Sequence, residues 1–134
     1  MKILAAMLVA AAPLMAQMNV KWEESLAAAQ KRAKAEKKMI FMDIWAEWCG
    51  PCQHLKKNVF PTPEAQAALS RYVPFSALAQ YKDGTPLPEG TALAERFRLE
   101  GYPTLIILDA DGKEVRRQVG AFRTGKDLAT WLAK

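Results

Sequence analysis

The sequence predicts one α/β domain, with a mixed central β-sheet of about four strands flanked by helices on both faces. Three observations predict it. The apolar run Met39–Ala46 is rich in aromatic and β-branched residues and bounded by turn formers, the pattern of a buried strand. A second strand-like run, Tyr72–Ala79, follows a helical stretch long enough for a crossover, which makes the two strands parallel. Finally, Thr104–Leu108 and Lys113–Val119 flank Asp109-Ala110-Asp111-Gly112 and read as an antiparallel pair around a turn. A chain of 134 residues, 51% hydrophobic and 25% charged, has room for one core of ordinary size.

The chain opens on Lys2 and the apolar stretch Ile3–Leu14, with Ala16 placed to end a cleaved leader. Residues 1–16 therefore read as an export signal, too short for the roughly 20 residues of a membrane span, and 17–134 as the folded domain. An uncleaved leader serving as an anchor is the alternative. From Val20 to about Lys37, Trp22, Leu26, Ala29 and Ala33 recur at helical spacing, so an amphipathic helix is expected to pack on the sheet. The basic residues Lys31, Arg32, Lys34, Lys37 and Lys38 read as its solvated face. The net charge of +5 is otherwise spread, and no nucleic-acid surface is predicted.

After the first strand, Leu55 and Val59 share one face of a helix ending near Phe60. Thr62-Pro63-Glu64 begins the next helix, expected to reach about Arg71: a cap, a proline at the first helical position, and an acid suited to the dipole. Gln80–Gly90 holds Asp83-Gly84, Pro86, Pro88 and Gly90 and is read as a loop. Because parallel strands end at the same sheet edge, this loop is expected beside the first strand's C-terminus, where it can meet a partner. Thr91–Leu99 is read as a helix terminated by Gly101. Thr124 opens the last helix, with Asp127 completing a partial capping box and Leu128, Trp131 and Leu132 facing inward.

The chemistry centres on Trp48-Cys49-Gly50-Pro51-Cys52, where strand hands over to helix. Cys49 falls at the helix N-terminus and Cys52 one turn inside, close enough to close a disulfide. Unpaired N–H groups and the helix dipole favour thiolate at Cys49, below the free-thiol pKa of about 8.5. Thiolate is the form that attacks disulfides. Cys49 is therefore the expected nucleophile and Cys52 the resolving thiol. Two bland readings stand beside this one. Zinc usually takes four ligands, whereas the chain offers two cysteines and His54; a purely structural disulfide over so short a loop restrains little of the unfolded chain.

The stretch Asp43-Ile44-Trp45-Ala46-Glu47-Trp48-Cys49-Gly50-Pro51-Cys52 resembles the active-site stretch of thioredoxins, and Gly101-Tyr102-Pro103-Thr104-Leu105 resembles their cis-proline segment. With Trp22-Glu23-Glu24-Ser25-Leu26 before and the Phe60–Leu69 helix after, the likeness extends over roughly residues 20–134. Within that family the chain resembles exported members such as the C-terminal periplasmic domains of DsbD-type membrane disulfide reductases. The resemblance implies the thioredoxin fold, a cis Tyr102–Pro103 bond beside the cysteines, and Asp43 as the buried acid that accepts the Cys52 proton through water. It also implies a partner-binding surface of Trp48, Gly50, Pro51, Tyr102 and Pro103. Two departures stand out. Tyr102 is larger than the residue thioredoxins commonly carry there, and Val73–Gln80 lacks the lysine that thioredoxins place near this aspartate. Trp45 is read as packing and His54 as a helix-surface residue.

The expected activity is that of a periplasmic or secreted thiol–disulfide oxidoreductase, reducing protein disulfides through a mixed-disulfide intermediate. No metal or organic cofactor is implied, because the Cys49–Cys52 dithiol itself carries two electrons. The expected partners are protein disulfide substrates and a redox donor such as a membrane disulfide reductase, with the chain acting as a monomer. The alternatives are a disulfide oxidase or isomerase, a reductase preparing apocytochrome cysteines for haem, and a non-enzymatic module holding copper or a partner.

Overall fold

The computed structural model describes residues 19–134, so the export signal expected at 1–16 lies outside the described residues. The elements are α1 (Leu26–Glu36), β1 (Ile40–Ala46), α2 (Gly50–His54) running into a π turn (Leu55–Val59), α3 (Pro63–Leu69), β2 (Val73–Gln80), α4 (Pro88–Arg96), β3 (Thr104–Leu108), β4 (Glu114–Val119) and α5 (Gly125–Leu132). The sheet order is β2-β1-β3-β4. β1 pairs parallel with β2 and antiparallel with β3, and β3 pairs antiparallel with β4. This is the mixed four-stranded sheet expected, in the thioredoxin arrangement.

β1 is the central strand, and all seven of its residues are buried. Alternation sends Ile40, Met42 and Ile44 to one face, where Val73, Phe75, Ala77 and Ile106 join Ala29 and Ala33 of α1 and Leu93 of α4. Phe41 turns to the other face and packs with Leu55, Val59, Leu69, Leu105, Ile107, Leu128 and Leu132 beneath the π turn, α3 and α5. Helices therefore cover both faces, which is why so apolar a strand is stable at the sheet's centre. Among the described residues no helix is long and apolar enough to cross a membrane.

Several caps follow sequence directly. Thr62 Oγ1 accepts the Ala65 N–H at 3.3 Å with Pro63 at the first helical position, and Thr124 Oγ1 accepts the Asp127 N–H at 3.1 Å. Gly112 takes a positive φ of 85° in the β3–β4 turn. α3 stops at Leu69, two residues short of the expected end.

Two expectations need correction. The helix predicted from Val20 starts only at Leu26, after Ser25, whose Oγ accepts the Ala28 N–H. Upstream, the chain is extended along β2: the Glu23 N–H donates to Pro74 O at 2.8 Å, and Glu23 O accepts from the Ser76 N–H at 3.0 Å. The open β2 edge recruits this segment because its backbone groups need partners. Trp22 consequently leaves the α1 stripe and packs on the opposite face, its ring 4.9 Å from Phe60 and 6.1 Å from Phe41.

The second correction concerns Gln80–Gly90. Pro88 opens α4, three residues earlier than predicted, and the helix ends at Arg96 rather than Leu99. Gly101 does not terminate it: Arg98 takes the left-handed conformation (φ 51°), and the Leu99 N–H donates to Ala94 O at 3.0 Å. Gly90 belongs to the helix because α4 presses on β2 there; a Cβ at Gly90 would lie 2.1 Å from the Leu78 carbonyl oxygen.

Candidate active site at the end of the central strand

β1 ends at Ala46, and the Cys49 N–H donates back to Ala46 O, so the chain turns tightly into α2. Cys49 is the N-cap residue, with extended backbone angles, and its Sγ accepts the Cys52 N–H at 3.2 Å. The sulfur thus occupies the place an N-cap oxygen usually takes, at the positive end of the helix. The two cysteines are joined as a disulfide with their Cα atoms 5.2 Å apart. Their burial differs slightly: Cys52 is wholly enclosed, whereas Cys49 keeps 4% of its surface.

The residues predicted to surround the pair come together. Tyr102–Pro103 is a cis peptide, Pro103 is buried, and the Tyr102 carbonyl oxygen lies 3.5 Å from Cys49 Sγ. The Trp48 and Tyr102 rings meet edge to face at 6.0 Å, and Trp48 remains 52% exposed. Gly50 and Pro51 are exposed on the same rim, and a Cβ on Gly50 would meet nothing within 4 Å. The segment after β2 does reach this rim, as its place in the topology predicts. Trp48 Nε1 donates to Gln80 Oε1, the Glu47 N–H to Gln80 O, and the Lys82 N–H to Glu47 Oε1.

Behind the disulfide, Asp43 lies mid-β1, opposite Ser76 of β2 and Leu105 of β3. It is 1% exposed, and its Oδ1 has no hydrogen-bond partner. Burial pushes its pKa up to about 7, opposed in part by the positive charge of Lys56. Sequence reasoning missed Lys56, having looked for a lysine on β2. It stands four residues after Cys52, on the same side of the helix. Its Nζ sits 3.7 Å above the centroid of the Trp45 ring, and burial lowers its own pKa while Asp43 raises it. The signal available was that helical spacing alone.

Trp45 is a packing residue, as expected: it is buried, and its Nε1 donates to Ser76 Oγ at 2.8 Å. His54 lies outside the cysteine ring and ties helix to loop, its Nε2 2.9 Å from Arg123 O and its Nδ1 3.2 Å from Asn58 Nδ2. Among the described residues no group of three or more His, Cys, Asp or Glu side chains is gathered to hold a metal.

A model of the thioredoxin-like domain family matches residues 26–134. The chain belongs to the thioredoxin-like family. Similar proteins include a thioredoxin of Chlamydia muridarum, 43% identical over 82 residues, covering 61% of this chain and 69% of that protein. They also include a protein of Pseudomonas aeruginosa named thiol:disulfide interchange protein DsbD 2, 35% identical over 103 residues, or 75% of this chain but 17% of that one. The chain thus spans about a sixth of the length of the DsbD proteins it matches. In fold it is similar to the oxidised C-terminal domain of Neisseria meningitidis DsbD, with a TM-score of 0.63, 21% identity, and coverage of 84% of this chain and 97% of that one. In this thioredoxin-like chain, an N-capping sulfur joined to a second, enclosed sulfur is a centre for thiol–disulfide exchange through a mixed disulfide.

Proposed function

We propose that this chain is an exported thiol–disulfide oxidoreductase that reduces disulfides of other proteins. The observation that carries the reading is the Cys49–Cys52 disulfide itself, with Cys49 capping the helix at the rim and Cys52 enclosed beneath it. In the reduced protein the Cys49 thiolate attacks one sulfur of a partner disulfide. A Cys49–partner bond forms, and the partner's other sulfur leaves as thiolate. Cys52 then attacks Cys49 Sγ, its proton passing through water to Asp43. The Cys49–Cys52 bond forms, and the second partner sulfur departs as thiolate to be protonated from solvent. The partner gains two electrons, and the dithiol is left oxidised.

Trp48, Gly50, Pro51, Tyr102 and Pro103 form the surface against which the partner lies in this reading. Exposure of Trp48, Gly50 and Pro51 around Cys49 supports it. The leader at 1–16 directs export of the domain at 17–134, and a membrane disulfide reductase resets the dithiol. The name thiol:disulfide interchange protein carried by the DsbD relatives supports the exchange chemistry. Gly50-Pro51 within the ring resembles the reducing members and supports the direction of flow.

Two measurements test the reading: turnover of insulin disulfides with dithiothreitol, and the equilibrium potential of the pair against glutathione. A reductase catalyses the first and lies well below the glutathione potential in the second. No turnover leaves a binding module, and a potential above glutathione's reverses the direction to that of an oxidase.

A further inference from the structure

A cleft of about 1020 Å³ opens beside β1 and β2, bordered by Trp45, Lys56 and Phe60 and by Pro88, Glu89 and Gly90 of the first turn of α4. Trp22, Trp45, Phe60 and Leu78 give it an apolar wall, and the buried Asp43 is among the residues that line it. Neither cysteine lines it, nor do Trp48 and Tyr102. Its opening is therefore separate from the rim that a partner bonded to Cys49 would cover. We propose that Lys56 is a positioning residue for the resolving step, serving as the counter-charge to Asp43 across this cleft. The proposal rests on the oxidoreductase reading above and supplies this chain's answer to the lysine missing from β2.

Geometry carries the argument. Lys56 is the one cation among the described residues lining the cleft, and its ammonium forms no ion pair within 4 Å among them. Its position is set instead by Trp45, whose ring it overlies and whose Nε1 is anchored on Ser76. Holding a half-buried ammonium this way is unfavourable unless a negative charge faces it. The other charged groups bordering the cleft are Glu24, before α1, and Glu89, in the first turn of α4. Glu89 is engaged, its Oε1 accepting the Leu26 N–H at 3.2 Å. α3 contributes Gln66, neutral and committed to Val20 N–H and Phe60 O, β2 contributes Ser76, and β3 places Leu105 opposite. Glu24 is exposed to solvent, so Asp43, buried and with an unpartnered oxygen, is left as the carboxylate that Lys56 serves. Burial raises the pKa of the acid and lowers that of the base, and the charge of each opposes the other's shift.

When Cys52 attacks Cys49 Sγ, its proton goes to Asp43, which must be carboxylate beforehand. Removing the Lys56 charge raises the pH at which Asp43 becomes carboxylate. The test is a carbon-13 titration of the Asp43 carboxyl in the oxidised protein, which needs no turnover and so fails or succeeds independently of the activity assay. In Lys56→Met the midpoint rises by about one pH unit, the low end of what a neighbouring opposite charge contributes. Lys56→Arg stays close to the unmodified protein. The acid limb of the mixed-disulfide resolution rate moves with the midpoint, a loss of about tenfold below it, and Lys56→Met adds no further shift on an Asp43→Asn background. Lys56→Gln, with a polar end, gives the same reading should the methionine variant fail to fold. An unchanged midpoint in Lys56→Met or Lys56→Gln overturns the proposal, as does an upward shift in Lys56→Arg equal to theirs.

Discussion

The two faces of β1 put one strand to opposite uses. Ile40, Met42 and Ile44 face α1 and α4 in a wholly apolar layer. Phe41, Asp43 and Trp45 face the other way, where the strand buries an unpartnered carboxylate beside an ammonium lying on an indole. The contrast teaches that stability and reactivity are divided along a period of two residues. A fully apolar face secures the strand, and the neighbouring face can then keep one group in an environment that disfavours its charge.

The largest expected effect separates the chemical face from the rest. Cys49→Ser abolishes insulin reduction, whereas Cys52→Ser leaves the first attack intact and strands the partner as a mixed disulfide visible by mass. Next comes Asp43. Its pKa in the folded chain is raised to about 7 against an ordinary 3.8, so between those values the folded state binds the extra proton and stability falls as pH rises. The penalty is absent below pH 3.8 and complete above about 7, where it reaches about 4 kcal/mol. Asp43→Asn should flatten that slope in denaturant titrations run across the range. The same variant should slow resolution of the mixed disulfide near neutral pH by about 10²-fold, the lower range for a lost general base. A resolution rate equal to that of the unmodified protein at every pH would remove Asp43 from the mechanism.

Met42→Ala tests the silent face. Removing this buried side chain should lower stability by about 3 kcal/mol while leaving the Asp43 titration midpoint in place. A moved midpoint would show that the faces are coupled. The smallest effect belongs to Ser25→Ala, which removes the α1 cap at a cost of about 1 kcal/mol by chemical denaturation, with unchanged disulfide turnover.

Legibility followed how local each signal was. The hand-over from β1 to α2, the Thr62 and Thr124 caps and the Gly112 turn all involve residues within four of one another, and each was readable. Trp22 was misplaced because its spacing from Leu26 imitates a helix turn. What decides its position is an unpaired strand edge some fifty residues later. The start of α4 at Pro88 was hidden among turn formers, since proline serves equally as a turn residue and as a first helical residue. At the site, Cys49, Cys52, Trp48, Tyr102 and Pro103 were named from motif, and the structure brings them together. Lys56 carries no motif, and its meaning comes from the strand it leans over.

By itself, the sequence determined the alternation of strand and helix, the cysteine spacing and the placement of one acid in an apolar strand, because these depend on periodicity and on neighbours along the chain. Only the tertiary structure decided which cation serves that acid and which face Trp22 fills. Electrostatic and packing partners are chosen by distance in space, and the chain brings Lys56 over Trp45 only once the π turn after α2 has packed on the sheet.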